Sequence, residues 1–535
     1  MSEETTLDTI CVRCSELLGL PGGETRRRED TVSCPICLGL WHSNASTTLV
    51  NAIRKACEPY GGMEANRFSM DQPPSIALPG DVALRYHLAS LQQSNPTPVP
   101  VYLRNLKDHV KGTALDYIKT RQRKTLQGYP TCVESEEQGF LCMHILVTPA
   151  SGVSRPSSFV LPTNQKRIRK RFRGHDPTEK QGGDPRQNLE RRLVKQGMVL
   201  WPCGDVEAAL QRSVSPHTSD ARNKWFRDFA MMPVCAVQYH VAVWRRPFFI
   251  RALYTKSRRD VSQTPFYVPS QENASVMKRM GVSSVEEQIA PLVTTMACGG
   301  ISNLNNDPDA GDVVYGMVKF HASGREDMDV RMILPPEPTE NVGGRPFVCQ
   351  VVDALRMPTM NSLTKVLHAI NCTTTQNGNH IDSGELAGRR YGHNPMGVGI
   401  SDCLVFAPSQ SFKNLQAETE EKVKYYGCLC WSWHEIVSQK DLMTRLGSFP
   451  LEVKQRTPIR VLHRRSNIMR VRHVLTLRAE RIDNHYFRLN LSTDAGTYVK
   501  EFVHGDLGRT VPSVSSLLGC KTDIMDLDCE GIAGV

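Results

Sequence analysis

Long apolar runs are missing from this chain. No stretch approaches the ~18 uninterrupted apolar residues of a membrane span, so no transmembrane helix is expected. The opening residues, MSEETTLDTI, are acidic and polar, without a basic region leading into an apolar run, and do not read as a secretory signal. Neither G-x-G-x-x-G nor G-x-x-x-x-G-K-[ST] occurs, which argues against nucleotide-cofactor folds. No internal repeat occurs either. Global disorder is also excluded, because hydrophobic residues make up 40% and charged residues 22% of the chain.

At 535 residues the chain is too long for one core, so two or three domains are expected. The formal net charge of +10 and a pI near 8.8 point to an anionic partner, nucleic acid ahead of a membrane surface. The 17 cysteines are an odd number and mostly scattered, as expected for reduced thiols in a reducing, intracellular compartment. Four of them break the scatter. Cys11, Cys14, Cys34 and Cys37 form C-x2-C-x19-C-x2-C, two tight knuckles suited to a tetrahedral thiolate site. A closed four-sulfur site leaves no position for water, so a zinc ion held there would be structural. A disulfide or unligated cysteines are the alternative.

Residues 46–255 mix short apolar runs with polar stretches rich in Pro, Gly, Gln and Asp. Lys166 to Arg173 packs six basic residues into eight, with Phe172 as a stacking surface. That run suits RNA phosphates, a solvated loop or a nuclear-localisation peptide equally. Val234 to Trp244 reads as a strand. Residues 256–535 are more regular. Ser284-Val-Glu-Glu287 has capping-box form ahead of a helical spacing at Ile289, Leu292, Val293 and Met296. Val318 and Phe320, and later Phe487, Leu489 and Leu491, alternate with polar residues as half-buried strands do. Cys372 to Ile400 lacks periodicity and reads as a long inserted loop.

HASGREDMDVRM, residues 321–332, sets Asp327 and Asp329 between Arg325 and Arg331. Two carboxylates two residues apart on a strand could share a metal ion, although the arginines would oppose it. A salt-bridged surface turn is the plainest reading. The third has Asp327 at the mouth of a cleft, ionised and held by a cation, as an aspartate nucleophile requires.

SGREDMDVRM, GRPFVCQVVDA (344–354), TPIRVLHRR (457–465) and DAGTYVKEFVHGDLGRT (494–510) together resemble the THUMP-containing tRNA pseudouridine synthases of archaea and eukaryotes, the family numbered ten. KSRRDVSQTPF (256–266) and SSVEEQI (283–289) fit the same pattern. The resemblance implies an α+β pseudouridine synthase fold, a mixed and largely antiparallel sheet flanked by helices. It implies a catalytic domain over 256–535, a THUMP-type RNA-binding domain over 46–255, and the zinc module over 1–45. It assigns the catalytic aspartate to Asp327 and its basic partner to Lys500. Tyr426 takes the place of the tyrosine that packs on the target base, and Tyr498 that of the second tyrosine. Arg325 and Arg464 are expected to hold flanking phosphates, and Asp329 to pair with an arginine.

The implied reaction converts uridine to pseudouridine, at position 54 or 55 of the TΨC loop, in a tRNA partner. It needs neither cofactor nor catalytic metal beyond the structural zinc. A monomer in the nucleus or cytoplasm, with no membrane partner, is expected. Two other functions compete: an RNA-binding adaptor that keeps the fold with little catalysis, and a metal-dependent nuclease using Asp327 and Asp329.

Overall fold

A computed structural model describes residues 13–14, 16, 40–41, 43–63, 66–69, 74–78, 99–121, 135–149, 199–201, 237–270, 276–299, 316–334, 342–371, 393–400, 403–463 and 465–534. The chain divides into two compact units: Met1–Gln127 with Phe140–Arg246, and Gly128–Gly139 with Pro247–Val535. The division at 246/247 lies nine residues before the boundary expected at 255/256, because the strand Phe248–Lys256 is a core strand of the second unit. Among the described residues, no helix is long and apolar enough to cross a membrane.

In the first unit, α1 (Ser43–Cys57) buries Ala45, Leu49, Ile53 and Cys57, and α2 (Val99–Arg121) buries Leu106, Val110, Ala114 and Ile118. Each set recurs every fourth residue, which places it on one helical face. The sheet contains β1 (Phe68–Ser69), β2 (Ser75–Leu78), β3 (Leu141–Pro149), β4 (Val199–Trp201) and β5 (Val237–Arg245). β3 is its centre, parallel to β1 and β2 and antiparallel to β5. The strand expected over 234–244 is β5. Of the four clustered cysteines, Cys14 is fully buried, and Cys11, Cys34 and Cys37 lie outside the described residues, as does the basic run 166–173.

Among the described residues, the second unit is built on a 13-stranded sheet with two halves. Its main elements, in chain order, are β6 (Phe248–Lys256), α3 (Val285–Leu292), β7 (Met317–Ala322), β8 (Arg331–Met332), β9 (Arg345–Val352) and α4 (Met360–Asn371). They continue with β10 (Lys424–Ser432), α5 (Gln439–Leu446), β11 (Leu451–Arg456), β12 (Met469–Arg481), β13 (Tyr486–Thr493), α6 (Val499–His504), α7 (Val514–Leu518) and β14 (Thr522–Ala533). The order across the sheet is β7–β9–β6–β8–β14–β10–β13–β12–β11. All these pairings are antiparallel except β8 with β14.

The first half-sheet buries Phe248, Ile250 and Tyr254 of β6 with Phe347, Cys349 and Val351 of β9 against Val285 and Ile289 of α3 and Leu363, Val366 and Ile370 of α4. The second buries Cys428 and Cys430 of β10 and Phe487, Leu489 and Leu491 of β13 against α5, α6 and α7. Removal of these side chains from water drives each half to close. Ser284 caps α3 as its sequence predicts: its Oγ accepts the Glu287 N–H at 3.3 Å and donates to the Glu287 carboxylate at 2.8 Å. The expected loop 372–400 needs one correction. Val398–Ile400 is a buried strand paired with β6, too short for any period to mark it; residues 372–392 lie outside the described residues.

β8 is the seam between the halves. Met332 pairs with Lys256 on one side and Cys529 on the other. The segment that reaches it from β7 is GREDMDV.

Candidate active site

The turn between β7 and β8 is tied down from below. Ser323 N–H continues the ladder to Pro346 O at 2.9 Å, and Gly324 then turns the chain with a φ of 74°, a region open to glycine at little cost. Three carbonyls of the turn are held by buried side chains. Ser323 O accepts from Arg345 Nη1 at 2.8 Å, Gly324 O from Gln263 Nε2 at 2.9 Å, and Met328 O from Lys256 Nζ at 2.9 Å. Glu326 points inward. Its carboxylate lies 2.6 Å from Arg345 Nε and takes the Tyr254 hydroxyl at 2.7 Å. Burial works against the charge of Arg345, yet Glu326 beside it holds the guanidinium above its ordinary value. Among the described residues, Lys256 has no equally close carboxylate, and burial pulls its ammonium down to about 8.

Asp327, the next residue, points the other way, its side chain one-third exposed. Its Oδ2 lies 2.8 Å from Arg460 Nη1 and 3.6 Å from Lys500 Nζ. The Nε of Arg460 donates to Glu501 Oε1 at 2.8 Å, and Glu501 is almost fully buried. Burial opposes the Arg460 charge, but Glu501 and Asp327 hold it above its ordinary value. Lys500 donates to Asp329 Oδ2 at 2.6 Å; although partial burial opposes it, that contact holds the Asp329 carboxyl below its usual range. The five groups form one chain: Glu501, Arg460, Asp327, Lys500, Asp329.

Lys500 and Glu501 stand in the first turn of α6, and the start of that helix is itself fixed. Tyr498 caps it with extended backbone. Its N–H donates to Gln455 Oε1 and its carbonyl accepts from Gln455 Nε2, both at 2.9 Å. Gln455 is fully buried on β11, so one amide sets where the helix begins and hence where Lys500 reaches.

The structure brings Asp327 and Lys500 together, but Lys500 lies nearer to Asp329. The arginine expected as partner of Asp329 is therefore replaced by a lysine, and Arg331 instead forks onto Asp528 at 2.7 and 2.5 Å. Arg325 is exposed, its guanidinium 5.6 Å above the Phe266 ring. Tyr426 sits on β10 between β13 and β14, packed on Met332, Cys529 and Ile532 at the seam, and burial pushes its phenol up. Arg464 lies outside the described residues. Sequence reading did not single out Arg460, Glu501, Gln455 or the Glu326–Arg345 pair. Arg460 stood inside the quoted TPIRVLHRR, and Glu501 directly follows Lys500. A carboxylate held by two cations at the open side of a rigid turn can act as a nucleophile or stabilise positive charge at a neighbouring carbon.

Comparison with known proteins bears on the same residues. The profile of the family described as "Pus10, C-terminal" matches residues 249–388 and 393–533, more than half of the chain. Relatives named tRNA pseudouridine synthase Pus10 include that of Xenopus laevis, 32% identical over 286 residues, which are 54% of this chain and 45% of the relative. The Homo sapiens protein is 30% identical over 300 residues, 56% and 46% respectively. That of Methanothermobacter marburgensis is 32% identical over 297 residues, 54% and 61%. The chain thus spans about half the length of the curated relatives it matches. A solved Cbf5-Nop10-Gar1 complex shares 20% identity over 24% of this chain and 35% of that one, with a TM-score of 0.18, too slight a likeness to carry weight. With the match running from β6 through β14 and across the turn that holds Asp327, this chain belongs to the Pus10 family by its C-terminal region.

Proposed function

We propose that this chain isomerises uridine to pseudouridine in the TΨC loop of tRNA, at position 55, 54 or both, with Asp327 as the nucleophile. The observation that supports this most is one partly exposed carboxylate, 2.8 Å from Arg460 and 3.6 Å from Lys500, on a turn fixed from beneath. The reaction breaks the bond from N1 of the base to the sugar, turns the base, and forms a bond from the sugar to C5, whose proton is released as N1 gains one. Atoms and electrons balance within the nucleotide, so no cofactor and no catalytic metal enters. Asp327 attacks the anomeric carbon, adds to the base, or assists a glycal intermediate; all three use the same carboxylate. The uridine must leave its stack to reach the site. Tyr426 serves as its aromatic platform and Tyr498 as the second tyrosine, while Arg325 and Arg464 take the flanking phosphates. The protein works as a monomer in the nucleus or cytoplasm.

The accessory part of this reading places a structural Zn2+ on Cys11, Cys14, Cys34 and Cys37. Four thiolates in two C-x2-C knuckles suit that ion, and Cys14 is already excluded from water. Metal analysis should find about one zinc per chain; protein without zinc, or with a disulfide among these four, ends the assignment. Residues 46–255 act as a THUMP-type RNA-binding domain. Neutralising Lys166 to Arg173 should flatten the salt dependence of tRNA binding, and an unchanged slope would remove that run from the interface.

The central test incubates wild-type and Asp327→Asn protein with unmodified tRNA and maps pseudouridine chemically. Asn preserves size and hydrogen-bonding reach but removes the charge, so conversion should disappear while tRNA binding persists. Conversion by Asp327→Asn near the wild-type rate refutes the nucleophile. Binding without conversion by the wild type refutes the reaction and leaves an adaptor. Chelator should not alter turnover in short assays; its doing so would favour the metal-dependent nuclease.

A further inference from the structure

The loop that follows α6 carries an aliphatic side chain into solvent on a backbone that disfavours it. Gly505, Asp506, Leu507 and Gly508 have φ of 82°, 45°, 54° and 84°, four left-handed residues in a row of which two bear side chains. This conformation presses the Cβ of a leucine against its own carbonyl, and it persists where the surroundings impose it. Here they do. Asp506 Oδ2 accepts the Ile459 N–H at 3.2 Å, and the N–H groups of Gly508 and Arg509 close turns on the carbonyls of Gly505 and Asp506 at 3.0 and 3.1 Å. Arg509 Nη2 donates to Thr457 O and to Asn467 Oδ1, each at 2.7 Å. All this anchoring ends in a Leu507 that is 92% exposed, the most exposed large hydrophobic residue among those described.

The loop shares its supports with the candidate site. Ile459, whose N–H holds Asp506, directly precedes Arg460, the partner of Asp327, and is itself 47% exposed. Gly505 is the C-cap of the helix whose first turn carries Lys500. Two aliphatic groups that the core does not use are therefore fixed to the same backbone that positions the two cations on Asp327.

We propose that Leu507 is a wedge that enters the base stack of the RNA substrate and occupies the place of a displaced nucleotide. The proposal rests on the pseudouridine synthase reading above. A uridine inside a folded loop is unreachable until it leaves the stack, and an apolar side chain inserted in its place recovers part of the lost contact, as wedges do in proteins that open or kink nucleic acid. A wedge must be stiff before it meets RNA, and the closed left-handed turn makes it so. Leucine has no hydrogen-bonding group beyond its backbone, so it opens the stack without reading the base.

The test uses the full chain and a tRNA carrying 2-aminopurine beside the uridine that the wild type converts. Leu507→Asn removes the apolar tip while tolerating the left-handed backbone. Turnover at saturating tRNA should fall by about tenfold or more, the scale of one lost stacking contact. The fluorescence rise on binding should shrink with it, and tRNA affinity should stay within about threefold because phosphate contacts dominate it. In an Asp327→Asn background, where chemistry is silent, Leu507→Asn should still remove the fluorescence rise. Val437→Asn, at a 76% exposed position outside the site, should change neither signal. Leu507→Asn with wild-type turnover and fluorescence overturns the wedge, as does an equal loss in Val437→Asn. A wild-type protein that converts no uridine in tRNA sinks the enzymatic reading instead, a result distinct from these.

Discussion

Glu326 and Asp327 are consecutive carboxylates with opposite surroundings. The Glu326 side chain is 2% exposed and faces the first half-sheet, where Tyr254 and Arg345 hold it. The Asp327 side chain is 34% exposed and faces the second, where Arg460 and Lys500 meet it. One peptide bond separates an acid that anchors the turn from an acid that the turn presents. The halves of the sheet meet at β8, directly downstream, so the turn is fastened to one half and delivers its partly exposed carboxylate to the cations of the other. The proposed function thereby assigns stability to Glu326 and reactivity to its neighbour, and substitutions should separate the two.

The largest effect is expected on the buried side. Glu326→Ala leaves the Arg345 guanidinium buried without its counter-charge, a loss of about 3–5 kcal/mol of stability. Denaturant unfolding of the full chain should show it as a lower midpoint for the second unit. Asp327→Asn should shift the same midpoint by less than about 1 kcal/mol, because its ion pairs are partly hydrated. The double substitution Glu326→Gln with Arg345→Met should recover much of the stability but not the turnover, since the turn keeps its packing and loses both the Glu326–Arg345 pair and the hydrogen bond from Arg345 to Ser323 O. Equal midpoints for Glu326→Ala and Asp327→Asn would erase the contrast.

The two sides were unequally legible in the sequence. The family resemblance marks Asp327 and Lys500, and one strand of the second core, β13, shows in the two-residue alternation of Phe487, Leu489 and Leu491. The Ser284 cap was equally visible, since Glu287 stands three residues on. Nothing comparable marks the Glu326–Arg345 pair. Arg345 opens RPFVCQVV, a run buried on both faces whose single charge looks like a strand end rather than a core group. Arg460 was hidden for another reason. TPIRVLHRR holds several basic residues, and the one that turns toward Asp327 is decided by the short helical turn Ile459–Val461, which has no period to read.

A second test of the buried side uses pH. Lys256 is fully buried and its ammonium is held at about 8, against an ordinary 10.5. Below about 8 both folded and unfolded chains hold the proton, and the folded state bears the full penalty for the buried charge. As pH rises the folded state releases the proton first, so the penalty fades until the unfolded value is reached. The stability of wild type relative to Lys256→Met should therefore improve between pH 8 and 10.5, by up to about 3 kcal/mol. Lys424 and the buried thiols and phenols titrate alike in both proteins and cancel in the difference. A pH-independent difference would show that Lys256 is not penalised for its charge.

On the open side, Arg460 and Lys500 can be ranked against each other. Arg460 touches Asp327 more closely and is itself braced by buried Glu501, whereas Lys500 divides its charge between two aspartates. Arg460→Met should slow turnover by about 10–100-fold, the range for one charged contact to a reacting group, with Lys500→Met no worse. Glu501→Gln should act through Arg460, lowering kcat more than it raises KM, and Arg460→Lys should restore little because lysine cannot span both acids. A Lys500→Met effect well beyond that of Arg460→Met would return the lysine to first place.

The smallest effect belongs to Asp329. It is exposed and paired with Lys500 at 2.6 Å, and this contact holds its carboxyl below the usual range although burial opposes it. A carboxylate with that shift stabilises the fold above its unfolded value of 3.8 and loses the contribution as pH falls through the lower, folded value. Exposure limits the size of the term to less than about 1 kcal/mol. Asp329→Asn should therefore leave the unfolding midpoint nearly unchanged at neutral pH and flatten only its acid limb. Turnover should change modestly, and its direction is informative. Released from Asp329, Lys500 is free to close the 3.6 Å gap to Asp327, so the rate should hold or rise slightly rather than fall. Abolished turnover in a folded Asp329→Asn protein would transfer the chemistry from the first aspartate of the motif to the second.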